Sequence, residues 1–205
     1  LDREAINADA LILPAHKGLL GPQGIGALLM RRTLAEALTP LVTGGTGSRS
    51  SQETQPDDLP DKFESGTVNV PGIYGFLAAL TYIGPRMATL HAEAMRLCGL
   101  LLDGARSLPH VRLLGIDGVE GRVPTVALDF EGMDNAEVAG RLAREYGIAV
   151  RSGLQCAPSA HITLGSYPKG AVRFSLSGHN TEADISETLA ALDTIVNDRH
   201  MFVQG

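Results

Sequence analysis

The chain has 205 residues, 44% of them hydrophobic, and carries a formal charge of -6 without any basic run. That is enough apolar material for one large domain or two small ones, and the wrong charge for a nucleic-acid partner. No apolar stretch approaches the ~20 residues that span a bilayer and nothing resembles a signal peptide. The two cysteines, Cys98 and Cys156, are expected to be free thiols in a soluble cytoplasmic protein.

Residues 1–10 read as the tail of a helix or a loop, followed by a strand from Ala10 to Leu13. The glycine-rich turn Ala15-His16-Lys17-Gly18-Leu19-Leu20-Gly21-Pro22-Gln23-Gly24 comes next, and then a strand from Ile25 to Arg31. Both strands are near-continuous apolar runs, the pattern of strands covered on two faces, and two strands alone cannot supply that cover. With Leu1 where an initiator methionine would stand, this predicts part of a longer polypeptide. Lys17, held where the two strands meet, reads either as a lysine snorkelling from a strand end or as a nucleophilic amine able to form a Schiff base with an aldehyde.

A short helix is predicted from Thr33 to Leu38. The polar, glycine-rich stretch Thr43-Gly44-Gly45-Thr46-Gly47-Ser48-Arg49-Ser50-Ser51 reads either as a surface loop or as an anion-cradling one; without a Walker A lysine it does not bind a nucleoside triphosphate. A helix from Gly72 to Ile83, apolar all round, ends at Gly84-Pro85, the expected boundary between a domain of residues 1–84 and another of residues 85–205. From Arg86 to Ser107, Met87, Leu90, Ala94, Leu97, Cys98, Leu101 and Ala105 recur at helical spacing and mark one buried face. Cys98 on that face is a small core residue.

The remainder alternates strands and helices. Strands are predicted over Val111–Ile116, Thr125–Phe130, Ile148–Arg151 and Ala171–Leu176. A helix from Asn135 to Tyr146 stops at Gly147, and a last helix opens on the capping signal Thr181-Glu182-Ala183-Asp184. Cys156 follows a strand and precedes Pro158, which is suited to open a short helix ending near Gly165. It is either a structural loop cysteine or a nucleophilic thiol with Arg151 nearby. Arg173, between apolar neighbours in Val172-Arg173-Phe174, is either an edge position or a bidentate carboxylate clamp. The histidines show no metal-ligand spacing, and no metal site is assigned.

Four segments carry a resemblance. Ala15-His16-Lys17 through Gly21-Pro22-Gln23-Gly24-Ile25-Gly26 resembles the G-H-K-x-x-x-G-P-x-G-x-G signature of cysteine desulfurases, pyridoxal-phosphate enzymes of the class-V aminotransferase group. Phe63-Glu64-Ser65-Gly66-Thr67-Val68-Asn69 resembles their F-E-x-G-T-x-N segment. Arg151 through Pro158 resembles R-x-G-x-x-C-A-P, and Val172 through Leu176 resembles V-R-x-S-L. The resemblance covers nearly the whole chain but only the C-terminal half of a typical member. Pro14 stands where many members carry a hydroxyl able to bind phosphate, and Gln155 where relatives often have histidine.

The resemblance implies an α/β fold: the C-terminal part of the large-domain sheet of a fold-type-I pyridoxal-phosphate transferase (aspartate aminotransferase-like), plus a small α+β domain. It implies that Lys17 binds pyridoxal 5'-phosphate covalently, that His16 lies against the cofactor phosphate, and that Thr67 reaches the phosphate of a neighbouring subunit across a homodimer. Arg173 would bind the substrate α-carboxylate. Cys156 would take sulfur from L-cysteine as a persulfide for an acceptor protein, leaving L-alanine. Two other readings stay open: a related class-V aminotransferase or selenocysteine lyase that does not need Cys156, and a non-catalytic piece lacking the N-terminal cofactor-binding half.

Overall fold

Two short apolar stretches form an antiparallel hairpin at the start of the chain. The computed structural model describes residues 2–198, and in it β1 (Ala10–Pro14) pairs with β2 (Gly26–Met30) from Ala10 opposite Met30 to Pro14 opposite Gly26. Glycine is required at the closing pair, because a Cβ on Gly26 would sit 2.7 Å from the Leu13 carbonyl oxygen. The expected cover on two faces is absent among the described residues. Ile12 is 82% exposed, and Leu28 and Leu29 are open to solvent as well, because the hairpin pairs with no third strand among the described residues and apolar run length reports a preference for burial, not its fulfilment.

A short helix, α1 (Arg32–Ala37), follows, and the polar loop beyond it is tied down locally. The Gly66 amide donates to the Gly45 carbonyl at 2.8 Å, and Arg49 pairs with Asp58 at 2.6 Å. Helix α2 (Val70–Ile83) begins at Asn69, whose side chain accepts from the Gly72 amide at 3.0 Å. A Cβ on Gly72 would lie 2.8 Å from the Asn69 side-chain Cγ, so this cap requires glycine two residues into the helix. The helix is apolar all round, as expected, but Gly72 and Ile83 are its buried residues, and Val70, Ile73, Tyr74, Leu77 and Leu80 are exposed.

The chain divides into two compact units, one ending at Arg86 and the second beginning at Met87. The second unit is built on a four-stranded antiparallel sheet in the order β3 (Val111–Leu114), β4 (Thr125–Phe130), β6 (Ala171–Ser175), β5 (Arg151–Gly153). Helices α3 (Met87–Arg106) and α4 (Asn135–Tyr146) pack on it, and α6 (Glu182–Asn197) packs against both helices. Leu97, Leu101 and Leu102 of α3, Val138 and Leu142 of α4, and Leu192, Ile195 and Val196 of α6 close over Val126, Leu128, Phe130, Val172 and Phe174. Each large side chain so buried contributes about 1.5–3 kcal/mol. Cys98 is fully buried in the same core. Met87, expected on that face, is 47% exposed at the first residue of α3.

The helix ends obey local chemistry. Gly147 caps α4 with φ 68°, the left-handed conformation glycine adopts without a Cβ clash. Thr181 and Asp184 form a reciprocal capping box at the start of α6. Strand β5 departs from expectation, beginning at Arg151 where the sequence pattern ends it. Ile148 and Val150 are apolar because they pack against the core on the approach to the sheet, and the ladder to β6 forms only over Arg151–Gly153.

Candidate active site

In the first unit the lysine turn is positioned by its glycines. The Ala15 amide donates to Ile25 O at 3.1 Å, Gly21 N donates to Ala15 O at 2.8 Å, and Leu20 N donates to Lys17 O at 2.9 Å. A Cβ on Gly21 would lie 2.9 Å from that of Ala15 and 3.0 Å from the Phe76 ring, and one on Gly75 would lie 3.0 Å from Pro22. The turn is therefore seated directly on α2, with Ala15 wholly buried beneath it. His16 and Lys17 project outward from this seat and are exposed. The amine is thus not enclosed between two buried strands as the apolar runs imply, and it makes no hydrogen bond or ion pair among the described residues.

Thr67 occupies a different place in the same unit. It lines a hollow of about 460 Å³ with Gly45, Thr46, Gly47, Asp61, Glu64 and Gly66. The glycine-rich backbone suits an anion, but the two carboxylates oppose one. Lys17 and His16 are not among the residues lining this hollow.

In the second unit the thiol and the guanidinium come from adjacent strands. Arg151 of β5 stands directly opposite Arg173 of β6 in the antiparallel register, and Gly153 opposite Ala171. Like charges so placed repel, and Arg173 is partly buried with its Nε unpartnered. A buried guanidinium nitrogen without an acceptor is costly, and a carboxylate on this part of the sheet would satisfy it bidentately.

Cys156 lies three residues beyond the end of β5 and is exposed. It precedes α5 (Pro158–Thr163), which is six residues long and opens on proline. The turn that presents it is latched by Gln155. That residue sits at φ 59°, uncommon for a residue other than glycine, and its amide donates to the Arg151 and Gly153 carbonyls at 3.1 and 3.3 Å. Two contributions escaped the sequence reading: this latch, and the opposition of Arg151 to Arg173. The second carried a signal, since aligning Arg151-Ser152-Gly153 antiparallel with Ala171-Val172-Arg173 pairs the two arginines.

No group of three or more histidine, cysteine, aspartate or glutamate side chains among the described residues could hold a metal ion. None of the described helices is long and apolar enough to cross a membrane.

Comparison with known proteins places these segments in one family. Residues 1–188 match the Aminotransferase class-V family. The chain is 34% identical to a cysteine desulfurase of Klebsiella pneumoniae subsp. pneumoniae, covering 95% of this chain and 47% of that one. It is 31% identical to the cysteine desulfurase CsdA of Escherichia coli, covering 94% of this chain and 47% of that one. Among solved structures, the apo cysteine desulfurase from Thermococcus onnurineus NA1 superposes with a TM-score of 0.85 at 27% identity, over 96% of this chain and 49% of that one. The S-sulfonic acid form of CsdA from Escherichia coli gives 0.83 at 30% identity, over 96% and 48%. The chain spans about half the length of the curated relatives it matches.

Proposed function

This chain belongs to the class-V aminotransferase family, and from that premise we propose that it carries the C-terminal half of the machinery of a cysteine desulfurase, removing sulfur from L-cysteine to give L-alanine and a persulfide on Cys156. The observation that carries the reading is the unpartnered, buried Nε of Arg173 on the strand beside the one that leads to an exposed thiol. A guanidinium left without an acceptor calls for a carboxylate, and a thiol within the same loop-and-strand unit is suited to meet the rest of an amino acid bound there.

The residues present fit pyridoxal 5'-phosphate in one respect that this chain can show: an unpaired lysine amine projects from a turn whose backbone is immobilised on α2. Lys17 would hold the cofactor covalently, His16 would lie against it, and Thr67 would contact the phosphate of the other subunit in a homodimer. Bound there, pyridoxal phosphate supplies an electron sink that labilises bonds at the substrate Cα. Arg173 would fix the carboxylate and so orient the side chain. Lys17, once its amine is released, would carry protons at Cα. The Cys156 thiolate would attack the substrate sulfur, forming the S–S bond as the carbon–sulfur bond breaks, and the carbon left behind gains a proton to become the methyl group of alanine. A protein thiol accepting the persulfide and a cytoplasmic location belong to the same proposal.

The test uses the full-length protein loaded with pyridoxal phosphate. Lys17→Ala is expected to abolish the visible absorbance of the bound cofactor. Cys156→Ser is expected to keep that absorbance and lose persulfide formation from L-cysteine. Alanine and sulfide release at the full rate from Cys156→Ser would remove the thiol from the mechanism and favour a lyase that uses Lys17 alone.

A further inference from the structure

One buried carboxylate in the second unit is tied to the segment that joins the thiol helix to the arginine strand. Asp129, on β4 and 7% exposed, accepts from Lys169 Nζ at 2.7 Å, Arg112 Nη2 at 3.0 Å and Asn135 Nδ2 at 3.1 Å. Each of these donors also grips, or belongs to, the segment 164–170. Arg112 donates onward to the Gly165 carbonyl at 3.1 Å and the Leu164 carbonyl at 3.5 Å. Asn135 Nδ2 donates to the Gly170 carbonyl at 3.0 Å while its Oδ1 accepts from Phe130 N at 3.1 Å. Lys169, within the segment, donates to the Phe130 carbonyl.

The segment lies between the two groups the proposed chemistry needs, Cys156 before it and Arg173 after it. Upstream, α5 leads back to Cys156, and buried His161 on that helix meets buried Ser166 of the segment, Nδ1 to Oγ at 2.7 Å. Downstream, Gly170 leads into β6 and Arg173. Gly170 is packed so closely on Gly153 that a Cβ there would overlap the Gly153 carbonyl, and Gly153 is the last residue of β5 before the thiol turn. A rigid path therefore runs from the Asp129 carboxylate to both ends.

We propose that Asp129 is a positioning residue, holding the Cys156 turn and the Arg173 strand in one fixed relation through the 164–170 segment. A carboxylate suits this role better than an amide, because only an anion satisfies two cations at once. Without it, Arg112 and Lys169 face each other unneutralised, and the segment is released. The proposal rests on the desulfurase reading for its functional consequence, but not for its structural one.

Asp129→Asn, nearly isosteric, tests it on the full-length pyridoxal-phosphate-loaded protein by amide hydrogen exchange and by kinetics with L-cysteine. Exchange at Gly165, Ser166 and Gly170 is expected to rise at least tenfold, with α3 and the β3–β4 ladder unchanged. KM for L-cysteine is expected to rise and persulfide formation to fall at least fivefold, with cofactor absorbance retained. Unchanged exchange in the segment overturns the proposal. A uniform rise across the second unit overturns it too, since that marks a merely structural residue, and so does a local rise with both kinetic constants unaltered. If Cys156→Ser keeps its sulfur release, the desulfurase reading fails, and the exchange pattern with KM then decides the role of Asp129. Lys169→Gln, which removes one donor and leaves the carboxylate its other two, gives the same localised pattern at smaller amplitude if Asp129→Asn does not fold.

Discussion

Gly165 and Gly170 bracket the segment that links the thiol helix to the arginine strand, and alanine at the two positions separates backbone conformation from packing. Both have positive φ, 66° and 75°, so a Cβ at either costs about 1–2 kcal/mol for the left-handed conformation. At Gly165 the new methyl meets open space, with Arg112 Nη1 4.0 Å away as its nearest neighbour. At Gly170 it overlaps the Gly153 carbonyl and lies 2.7 Å from the Gly153 Cα. That neighbour is backbone paired in the β5–β6 ladder and cannot swing aside as a side chain would. Overpacking of this kind adds about 1–3 kcal/mol. Gly165→Ala is therefore expected to destabilise the protein by about 1–2 kcal/mol and Gly170→Ala by about 2–5 kcal/mol. Urea unfolding followed by far-ultraviolet circular dichroism, at matched slope, measures both. Equal losses at the two positions would refute the close approach of Gly170 to Gly153, and with it the rigid path from the segment to the thiol turn.

Other expectations follow from the same geometry. Arg173→Lys keeps the charge but loses the planar fork, so KM for L-cysteine should rise about tenfold or more while cofactor absorbance stays constant; an unchanged KM would take Arg173 out of carboxylate binding. Burial works against ionisation of Asp129, but the hydrogen bonds from Lys169, Asn135 and Arg112 outweigh it and hold the carboxyl below its usual range. A depressed carboxylate stabilises the fold above its unfolded value, about 3.9, and that contribution fades as pH falls through the lower folded value. The stability gap between wild type and Asp129→Asn should accordingly be constant from pH 5 to pH 8, about, and close in acid; a gap that widens in acid reverses the sign. Thr181→Ala removes half of the capping box at α6 and should cost about 1 kcal/mol, read from the same urea titrations.

What was legible in the sequence follows from where local chemistry decides the outcome. Strand β4 occupies Thr125–Phe130 as its pattern indicates, because alternating apolar positions there fill one sheet face. Helix α4 stops at Gly147 and α6 starts at Thr181 because a left-handed glycine and a capping box are encoded within a few residues. Strand β5 was not legible: Ile148-Ala149-Val150 is apolar for packing, whereas the ladder depends on where β6 runs, which lies some twenty residues away in the chain. The exposure of β1, β2 and α2 was not legible either, because a run of apolar residues states what a surface prefers and not what covers it. The Asp129 knot draws on residues 112, 129, 135 and 169, separations over which no periodicity speaks.

The signature residues themselves divide into two kinds, and the division explains why a motif can be found without its chemistry being visible. Gly21 and Gly26 are needed for close backbone approach, and Asn69 with Gly72 forms a helix cap; these would be required whatever reaction the turn served. Lys17, Cys156 and Arg173 are of the other kind, since none of them is required by the packing of its own unit. The Lys17 side chain makes no hydrogen bond or ion pair among the described residues, Cys156 is exposed outside the core, and Arg173 is left with an orphan nitrogen. Residues that stabilise nothing locally, each presented by a scaffold whose glycines are sterically fixed, are where a search for reactivity should concentrate. The structural glycines make the family recognisable; under the proposed function, the reaction would fall to the three side chains that the local packing does not use.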